Sequence, residues 1–296
     1  MPHHHHNEIS GSRLLITMLL NFVITVAEII GGILSGSLSL ISDALHNFSD
    51  GVSIIISYIA LKLRYREHSP RHTFGLKRAE IFAAVINSSV LLIISLYLFY
   101  EATFRLIHPQ FVQGKLMTGV ALVGLTANVL GTFLLHRDAG RSLNIKSAYL
   151  HLLSDAVSSL GVVLGGLAIY FWQVYWIDPI LTILIGLYIL KESYKILIRA
   201  VHILMEGAPP DIDLKALQKA VEDIPEVQDI HHIHLWAVGE GDFHMEGHVN
   251  VNDMKISEGD LLRKKIENIL TRCFGIHHIT LQFECNQCKQ VGLIKK

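Results

Sequence analysis

Six long apolar segments, separated by short polar linkers, occupy the first two thirds of the chain. Each segment is close to the ~20 residues that a helix needs to cross the hydrocarbon core of a bilayer. They cover residues 13–34, 39–63, 79–106, 114–136, 145–171 and 177–200. The pattern predicts six transmembrane helices within one transmembrane domain, residues 13–206.

The linkers between these segments differ in charge, and the difference predicts an orientation. Linker 62–78 contains six Lys or Arg residues and linker 137–146 contains three, whereas 35–39 and 172–176 contain none. Lys and Arg collect in the cytoplasmic loops of membrane proteins. We therefore expect a multi-pass integral protein of the inner or plasma membrane, surrounded by lipid, with both termini in the cytoplasm.

Hydropathy falls after the sixth segment, and residues 207–296 read as a small soluble domain. Alternating and helical apolar periodicities predict helix, strand, strand, helix and strand at 211–224, 227–238, 243–251, 257–274 and 278–284. This order is typical of a ferredoxin-like α+β domain. Residues 1–12 form an N-terminal tail whose His3–His6 run is either native or an expression tag.

Composition agrees with this division and narrows the function. Hydrophobic residues make up 51% of the chain and charged residues 17%, below the ~25% of an average soluble domain. The net charge of −1 gives no indication of a nucleic-acid partner. No nucleophile elbow or HExxH motif is present, so the sequence does not predict an enzyme. The 18 histidines require an explanation, and histidine is a common metal ligand.

One short polar phrase occurs twice inside the apolar segments, as ALHNFSDGVS at 44–53 and YLHLLSDAVS at 149–158. Each copy places a His four residues before an Asp, which puts both side chains on one helix face. The pairs are His46 with Asp50 and His151 with Asp155. Ionisable groups within a membrane are costly and usually mark a site or a pathway. Two imidazoles and two carboxylates form a four-coordinate ligand set suited to zinc.

A single pair of this kind is also compatible with a hydrogen bond between membrane helices; two matching pairs favour a metal site. Nitrogen and oxygen ligands suit Zn²⁺, with Cd²⁺, Co²⁺ or Ni²⁺ as competitors, and suit Mg²⁺ and Ca²⁺ poorly. Metal binding requires neutral imidazoles and ionised carboxylates, so it displaces protons. The same residues therefore suggest an exchange of metal for protons.

Five stretches of the chain resemble the cation diffusion facilitators, in their zinc-exporting branch. They are residues 36–47, 71–80, 151–155, 204–207 and 231–236. The resemblance implies a homodimer that exports Zn²⁺ from the cytoplasm in exchange for protons by alternating access, with Cd²⁺ or Co²⁺ possible. It also implies that the two His–Asp pairs form the transport site. The alternative function is a membrane-embedded sensor that binds zinc without transporting it.

The resemblance further implies zinc in the C-terminal domain, as a structural or regulatory ion. Carried over to this chain, the ligands come from His231 or His232, from His248, from His277 or His278, and from Glu284. The favoured set is His231, His248, His277 and Glu284, with the thiolates of Cys285 and Cys288 as additional ligands. A reduced, unligated tail is the alternative for the two cysteines. His68 and His72 could hold another zinc ion in linker 62–78, which is otherwise a solvated basic loop.

The sequence also predicts roles for other polar residues, in the apolar segments and beyond them. Asp43 and Asn47, close to His46, are expected to orient ligands or line a cavity. Asn87 and Asn128 are expected to form hydrogen bonds between helices. The resemblance implies that Lys77 and Arg78 pair with Glu206. In the C-terminal domain Cys273 is expected to be a core thiol, and Ser257 to cap the second helix.

Overall fold

The structure, a computed structural model, describes residues 8–64, 69–136, 143–239, 241–285 and 292–293. These residues form two compact units. One is built from the described parts of Met1–Ser57 and Ile86–Ile196, the other from those of Tyr58–Val85 and Leu197–Lys296. The His3–His6 run and the possible metal ligands His68 and Cys288 lie outside the described ranges.

Six helices coincide with the six predicted spans. They are α1 Glu8–Ser35, α2 Leu38–Arg64, α3 Arg78–Ile107, α4 Gly114–His136, α5 Leu143–Trp172 and α6 Ile177–Leu204. Within the described ranges, Arg78–Ile107, Gly114–His136 and Tyr149–Trp172 are long and apolar enough to cross a membrane. The chain is an α-helical membrane protein with an additional C-terminal α+β domain.

Close helix packing organises the first unit. Leu40 of α2 is fully buried among residues of α4 and α5 such as Met117 and Val162. Small residues allow the helix backbones to approach: a Cβ atom on Gly166 would lie 2.5 Å from Thr118 Oγ1. Such contacts between small residues are the usual basis of helix association in lipid. They fix α5, which carries one of the two His–Asp pairs, against α4.

The amino end of α2 is held by the side chain of Asp178, at the start of α6. Asp178 accepts hydrogen bonds from Ser37 Oγ at 2.6 Å, from Leu38 N at 2.8 Å and from Ser39 Oγ at 2.7 Å. A carboxylate at this position satisfies free N–H groups and complements the helix dipole. The contact fixes the start of the helix that carries His46 and Asp50.

The C-terminal domain has the predicted order of elements. It contains α7 Leu214–Glu222, β1 Val227–Gly239, β2 Asp242–Val251, α8 Ile256–Phe274 and β3 Ile276–Glu284. β1 pairs antiparallel with β2, and β2 pairs parallel with β3 through the α8 crossover. The apolar stripes of both helices, including Leu217 and Ile266, bury one face of the sheet. The opposite face carries most of the histidines.

Two local predictions in α8 are wrong. Its N-cap is Lys255, not Ser257, because Glu258 folds back and accepts a hydrogen bond from Lys255 N at 3.1 Å. Cys273 is exposed rather than in the core. The buried stripe of α8 ends at Leu270, one turn before the helix ends at Phe274, and the C-cap Gly275 has a φ of 69°. In the last turn Phe274 still packs against the core, whereas Cys273 faces away from it.

Candidate metal centres

Four side chains from α2 and α5 converge in the first unit, and we call this group the membrane centre. The Nε2 atom of His46 lies 3.6 Å from Asp50 Oδ2 and 3.7 Å from Asp155 Oδ1. The Nε2 atom of His151 lies 3.2 Å from Asp50 Oδ2 and 3.5 Å from Asp155 Oδ2. Each carboxylate therefore faces both imidazoles, one from its own helix and one from the other.

These separations match the edges of a tetrahedral metal site. Zinc binds His nitrogen and carboxylate oxygen at about 2.0–2.1 Å, which places neighbouring ligand atoms of a tetrahedron about 3.3–3.4 Å apart. The observed separations run from 3.2 Å to 3.7 Å. Three of the four are too long for hydrogen bonds, and His46 Nε2 has no hydrogen-bond partner among the described residues. His46, His151 and Asp155 each offer one ligand atom within 4.8 Å of the others, and Asp50 Oδ2 adjoins both imidazoles.

The side chains of the membrane centre differ in exposure. The side chain of Asp155 is 3% exposed, whereas that of His151 is 37% exposed. Tyr188 of α6 packs edge-on against His46, with ring centroids 5.7 Å apart. Tyr188 was not predicted from the sequence, because one tyrosine in an apolar helix gives no distinguishing signal.

Hydrogen-bonded polar residues surround the membrane centre. Asn87 of α3 donates to Ser49 Oγ of α2 at 2.9 Å, and Asn128 of α4 donates to Ser159 Oγ of α5 at 3.4 Å. The expected hydrogen bonds between helices are thereby confirmed for both asparagines. Such bonds fix α2 and α5 relative to their neighbours, which keeps the four ligand side chains in register.

A second group of ligand atoms lies on the outer face of the C-terminal sheet, and we call it the sheet centre. His231, His232 and His248 each offer a ring nitrogen within 4.8 Å of the others. Glu284 at the end of β3 joins them, with Oε1 2.7 Å from His248 Nδ1 and Oε2 3.4 Å from His231 Nε2. Asp229 lies 2.6 Å from His231 Nδ1, which directs the opposite nitrogen toward the group.

A β-bulge brings the two adjacent histidines to the same face. His231 pairs with His248 and His234 pairs with Glu246, so four residues of β1 oppose three of β2. His232 is the extra residue and has a left-handed φ of 49°. The bulge keeps Ile230 and Ile233 on the core face and turns His231 and His232 away from it. Strict alternation would have separated the two imidazoles.

Other predicted ligands are not brought to the sheet centre in this chain. His277 is exposed near the beginning of β3, seven residues or about 23 Å along the strand from Glu284. Cys285 follows Glu284 directly and is exposed. His72 is exposed in a turn, where its N–H group donates to Ser69 O at 2.9 Å. Their roles as ligands stay predictions.

A different aromatic group occupies the other end of the same sheet face. His244 of β2 stacks on His278 of β3 with ring centroids 4.4 Å apart, and Phe74 packs edge-on against His244 at 5.3 Å. Burial, together with the neighbouring His278, lowers the pKa of His244 below its usual value. This histidine is therefore held in its neutral form.

Two basic residues at the start of α3, Lys77 and Arg78, bind carboxylates of the same unit. Arg78 pairs with Glu206 at 2.9 Å, as expected. Lys77 pairs instead with Asp242, at the start of β2. The expectation that both cations pair with Glu206 is therefore wrong for Lys77. Asp242 is the nearer carboxylate because the β1–β2 turn passes beside Lys77, as the 3.5 Å approach of Lys77 Cβ to a Cβ position on Gly239 indicates.

Comparison with known proteins identifies the class of protein that has this fold and these centres. The model of the cation efflux transmembrane domain matches residues 14–205, and that of the cation efflux protein cytoplasmic domain matches residues 209–285. The chain therefore belongs to the cation efflux family, the cation diffusion facilitators.

Individual relatives match over nearly the whole chain. It is 37% identical to the zinc transporter ZitB of Pectobacterium atrosepticum, over 97% of this chain and 90% of the relative. It is 38% identical to a cadmium, cobalt and zinc/H(+)-K(+) antiporter of Bacillus velezensis, over 95% and 91%. The metal cation efflux system protein CzcD of Cupriavidus metallidurans is 35% identical, over 97% and 91%. The solved metal-bound C-terminal domain of a Cupriavidus CzcD transporter is 30% identical, covering 25% of this chain and 99% of that chain with a TM-score of 0.23.

Proposed function

We propose that this protein exports Zn²⁺ from the cytoplasm in exchange for protons by alternating access, with Cd²⁺ or Co²⁺ as further substrates. The observation that carries the proposal is the convergence of two His–Asp pairs at the separations of a tetrahedral zinc site. The names of the relatives, which include zinc transporters and a metal/proton antiporter, support the same function.

The membrane centre is the proposed substrate site, with His46, Asp50, His151 and Asp155 as ligands. Two carboxylates balance the charge of one divalent cation, so the loaded site is neutral with neutral imidazoles. Zinc can bind only when the imidazoles have lost their protons and the carboxylates are ionised. Loading from the cytoplasm therefore releases protons, and protonation of the empty site from the other side favours metal release.

The sheet centre is the proposed site of a resident zinc ion that stabilises or regulates the C-terminal domain. His231, His232, His248 and Glu284 fit such an ion, because the Nε2 atom of His231 is buried and has no hydrogen-bond partner in the described part of the chain. His232 takes the place that the sequence analysis gave to His277. The thiolates of Cys285 and Cys288 are proposed as further ligands.

The membrane arrangement is also part of the proposal. Residues 13–206 form the transport domain and residues 207–296 the C-terminal domain. The protein lies in the inner or plasma membrane, with both termini in the cytoplasm. The match of the C-terminal domain to a family model named for dimerisation supports a homodimer. No catalytic reaction is proposed, since alternating access requires no covalent step.

Flux measurements in liposomes test this function. Purified protein should carry Zn²⁺ across the bilayer when a pH gradient is imposed. Collapse of the pH gradient with a protonophore and an ionophore should stop the flux. The variant Asp50→Asn and protein-free liposomes are the controls and should show no flux. Zinc binding without flux in the wild-type protein would instead establish the sensor function. Flux that ignores the pH gradient would contradict proton exchange.

A further inference from the structure

Glu28 is a buried acidic residue for which the membrane centre provides no role. It lies in the second half of α1 and is 0% exposed. Its Oε2 atom accepts one hydrogen bond, from Asn47 Nδ2 at 3.1 Å. Its Oε1 atom has no hydrogen-bond partner among the described residues. A Cβ atom on Gly124 of α4 would lie 2.3 Å from that oxygen, so Glu28 packs directly on the α4 backbone.

The charged groups that act on Glu28 are acidic, and His46 acts in addition on Asp43. Asp43 of α2 and Asp155 of α5 are the acidic neighbours that act on it. The charged and titratable residues of α4, Lys115 and His136, lie at the two ends of that helix. In the described ranges neither Glu28 nor Asp43 forms an ion pair with Lys or Arg. Two neighbouring carboxylates buried without a cation cannot both remain ionised.

Hydrogen bonding decides which of the two carboxylates holds the proton. Asp43 accepts from Ser158 Oγ at 2.6 Å and from Ser159 Oγ at 3.2 Å. Asn128 donates to Ser159 Oγ, which leaves the Ser159 hydroxyl proton directed at Asp43. Donors to a carboxylate favour its ionised form. Asp43 has two such donors and Glu28 has one, which favours Glu28 as the carboxylate that holds the shared proton.

We propose that Glu28 is a proton-binding site of the transporter, separate from the four metal ligands, and that zinc binding and protonation of Glu28 weaken each other. The proposal rests on the proposed function. A divalent ion in the membrane centre adds positive charge to the region and weakens proton binding at Glu28. Departure of the ion restores the excess of carboxylates and favours protonation. Asn47, which adjoins His46 in α2, connects Glu28 to the helix that binds the metal.

The test counts the protons released when zinc binds to the full-length protein. Calorimetric titration with ZnCl₂ in buffers of different ionisation enthalpy gives this number. Glu28→Gln keeps the size of the side chain and the hydrogen bond from Asn47 but cannot titrate. We expect it to bind zinc and to release fewer protons than the wild type, by up to about one per zinc ion. The contribution of the sheet centre is the same in both proteins and cancels in the difference.

Glu192→Gln is the matched control, since it makes the same acid-to-amide change at a partly exposed residue of α6 that pairs with Lys195. It should release as many protons as the wild type. Equal proton release by Glu28→Gln and the wild type would overturn the proposal.

If Glu28→Gln does not fold, Asp43→Asn provides the second test. Loss of the neighbouring charge should weaken proton binding at Glu28 and move the pH profile of proton release to lower pH, and an unchanged profile would overturn the proposal. All these readouts come from binding, so they are independent of the flux experiment that tests the proposed function.

Discussion

The membrane centre and the sheet centre combine the same ligand types but assemble them differently. In the membrane centre, α2 and α5 each contribute one His and one Asp four residues apart. In the sheet centre, three strands contribute three His and one Glu, and two of the His are adjacent in sequence. A helix places ligands by a fixed period, whereas a sheet places them by register and by its irregularities. The first arrangement repeats visibly in the sequence and the second does not.

The largest effect is expected from Asp155→Asn, which removes one charge from the membrane centre with little change of shape. Mutation of a residue that merely supports a metal ligand lowers metal affinity or activity by about 10–100-fold. Loss of a ligand itself should therefore reduce zinc flux in liposomes by more than about 100-fold. Zinc binding at the sheet centre should persist. Asp253→Asn, in the exposed loop after β2, is the control and should transport normally. Flux near the wild-type level in Asp155→Asn would remove Asp155 from the site.

Glu284→Gln tests whether the two centres have separate tasks. In a chain that also carries Asp155→Asn, calorimetry reports on the sheet centre, and loss of the ligand Glu284 should lower zinc affinity there by more than about 100-fold. The single variant Glu284→Gln should keep most of its zinc flux. Glu246→Gln, exposed on the same face of β2, should change neither quantity. If Glu284→Gln stopped transport as completely as Asp155→Asn, the distinction between the two centres would be lost.

The bulge itself can be tested at His232. His232→Gly and His232→Ala both remove the imidazole, and each should weaken zinc binding at the sheet centre. Only glycine accepts the left-handed φ of 49° without strain, which for other residues costs about 1–2 kcal/mol. Without zinc, the glycine variant should therefore be the more stable in urea, by about 1 kcal/mol. Equal stability of the two variants would argue that residue 232 is not the bulged position.

The smallest effect is expected from pH and the neutral His244. The folded protein lowers the pKa of His244 because the ring is buried and adjoins His278, whereas the unfolded chain has the ordinary value of about 6.5. The unfolded state therefore binds more protons below that pH, and the free energy of unfolding falls as the solution is acidified. Urea unfolding with a chelator, followed by tryptophan fluorescence, to which Trp236 of the domain contributes, measures this.

Two variants separate His244 from the other histidines of the domain. His244→Gln should reduce the loss of stability between about pH 7 and about pH 5.5. The exposed His277→Gln should leave that loss unchanged. An identical pH dependence in His244→Gln and the wild type would show that another group is responsible.

Much of the fold was predictable because it depends on local periodicity. The six apolar segments and the αββαβ order required only patterns of about 30 residues or fewer, and both are found in the structure. The His–Asp pairs were equally readable, since both members of each pair share one helix turn. The bulge was not predicted from the sequence. The spacing between successive apolar residues changes from two positions to three between Ile230 and Ile233, and this change could have indicated the bulge. The contacts of Tyr188 and Asp178 depend on tertiary packing, which has no local signal.

The contact between Asp178 and the start of α2 has a consequence for the order of biosynthesis. Ser37 and Asp178 are separated by 141 residues. At about 5–20 residues per second, a ribosome needs about 7–28 s to reach the second partner after making the first. Throughout that interval the emerging α2 lacks the carboxylate that finally anchors it. The second helix to be made therefore settles only when the sixth arrives, so assembly of the bundle cannot follow the order of translation.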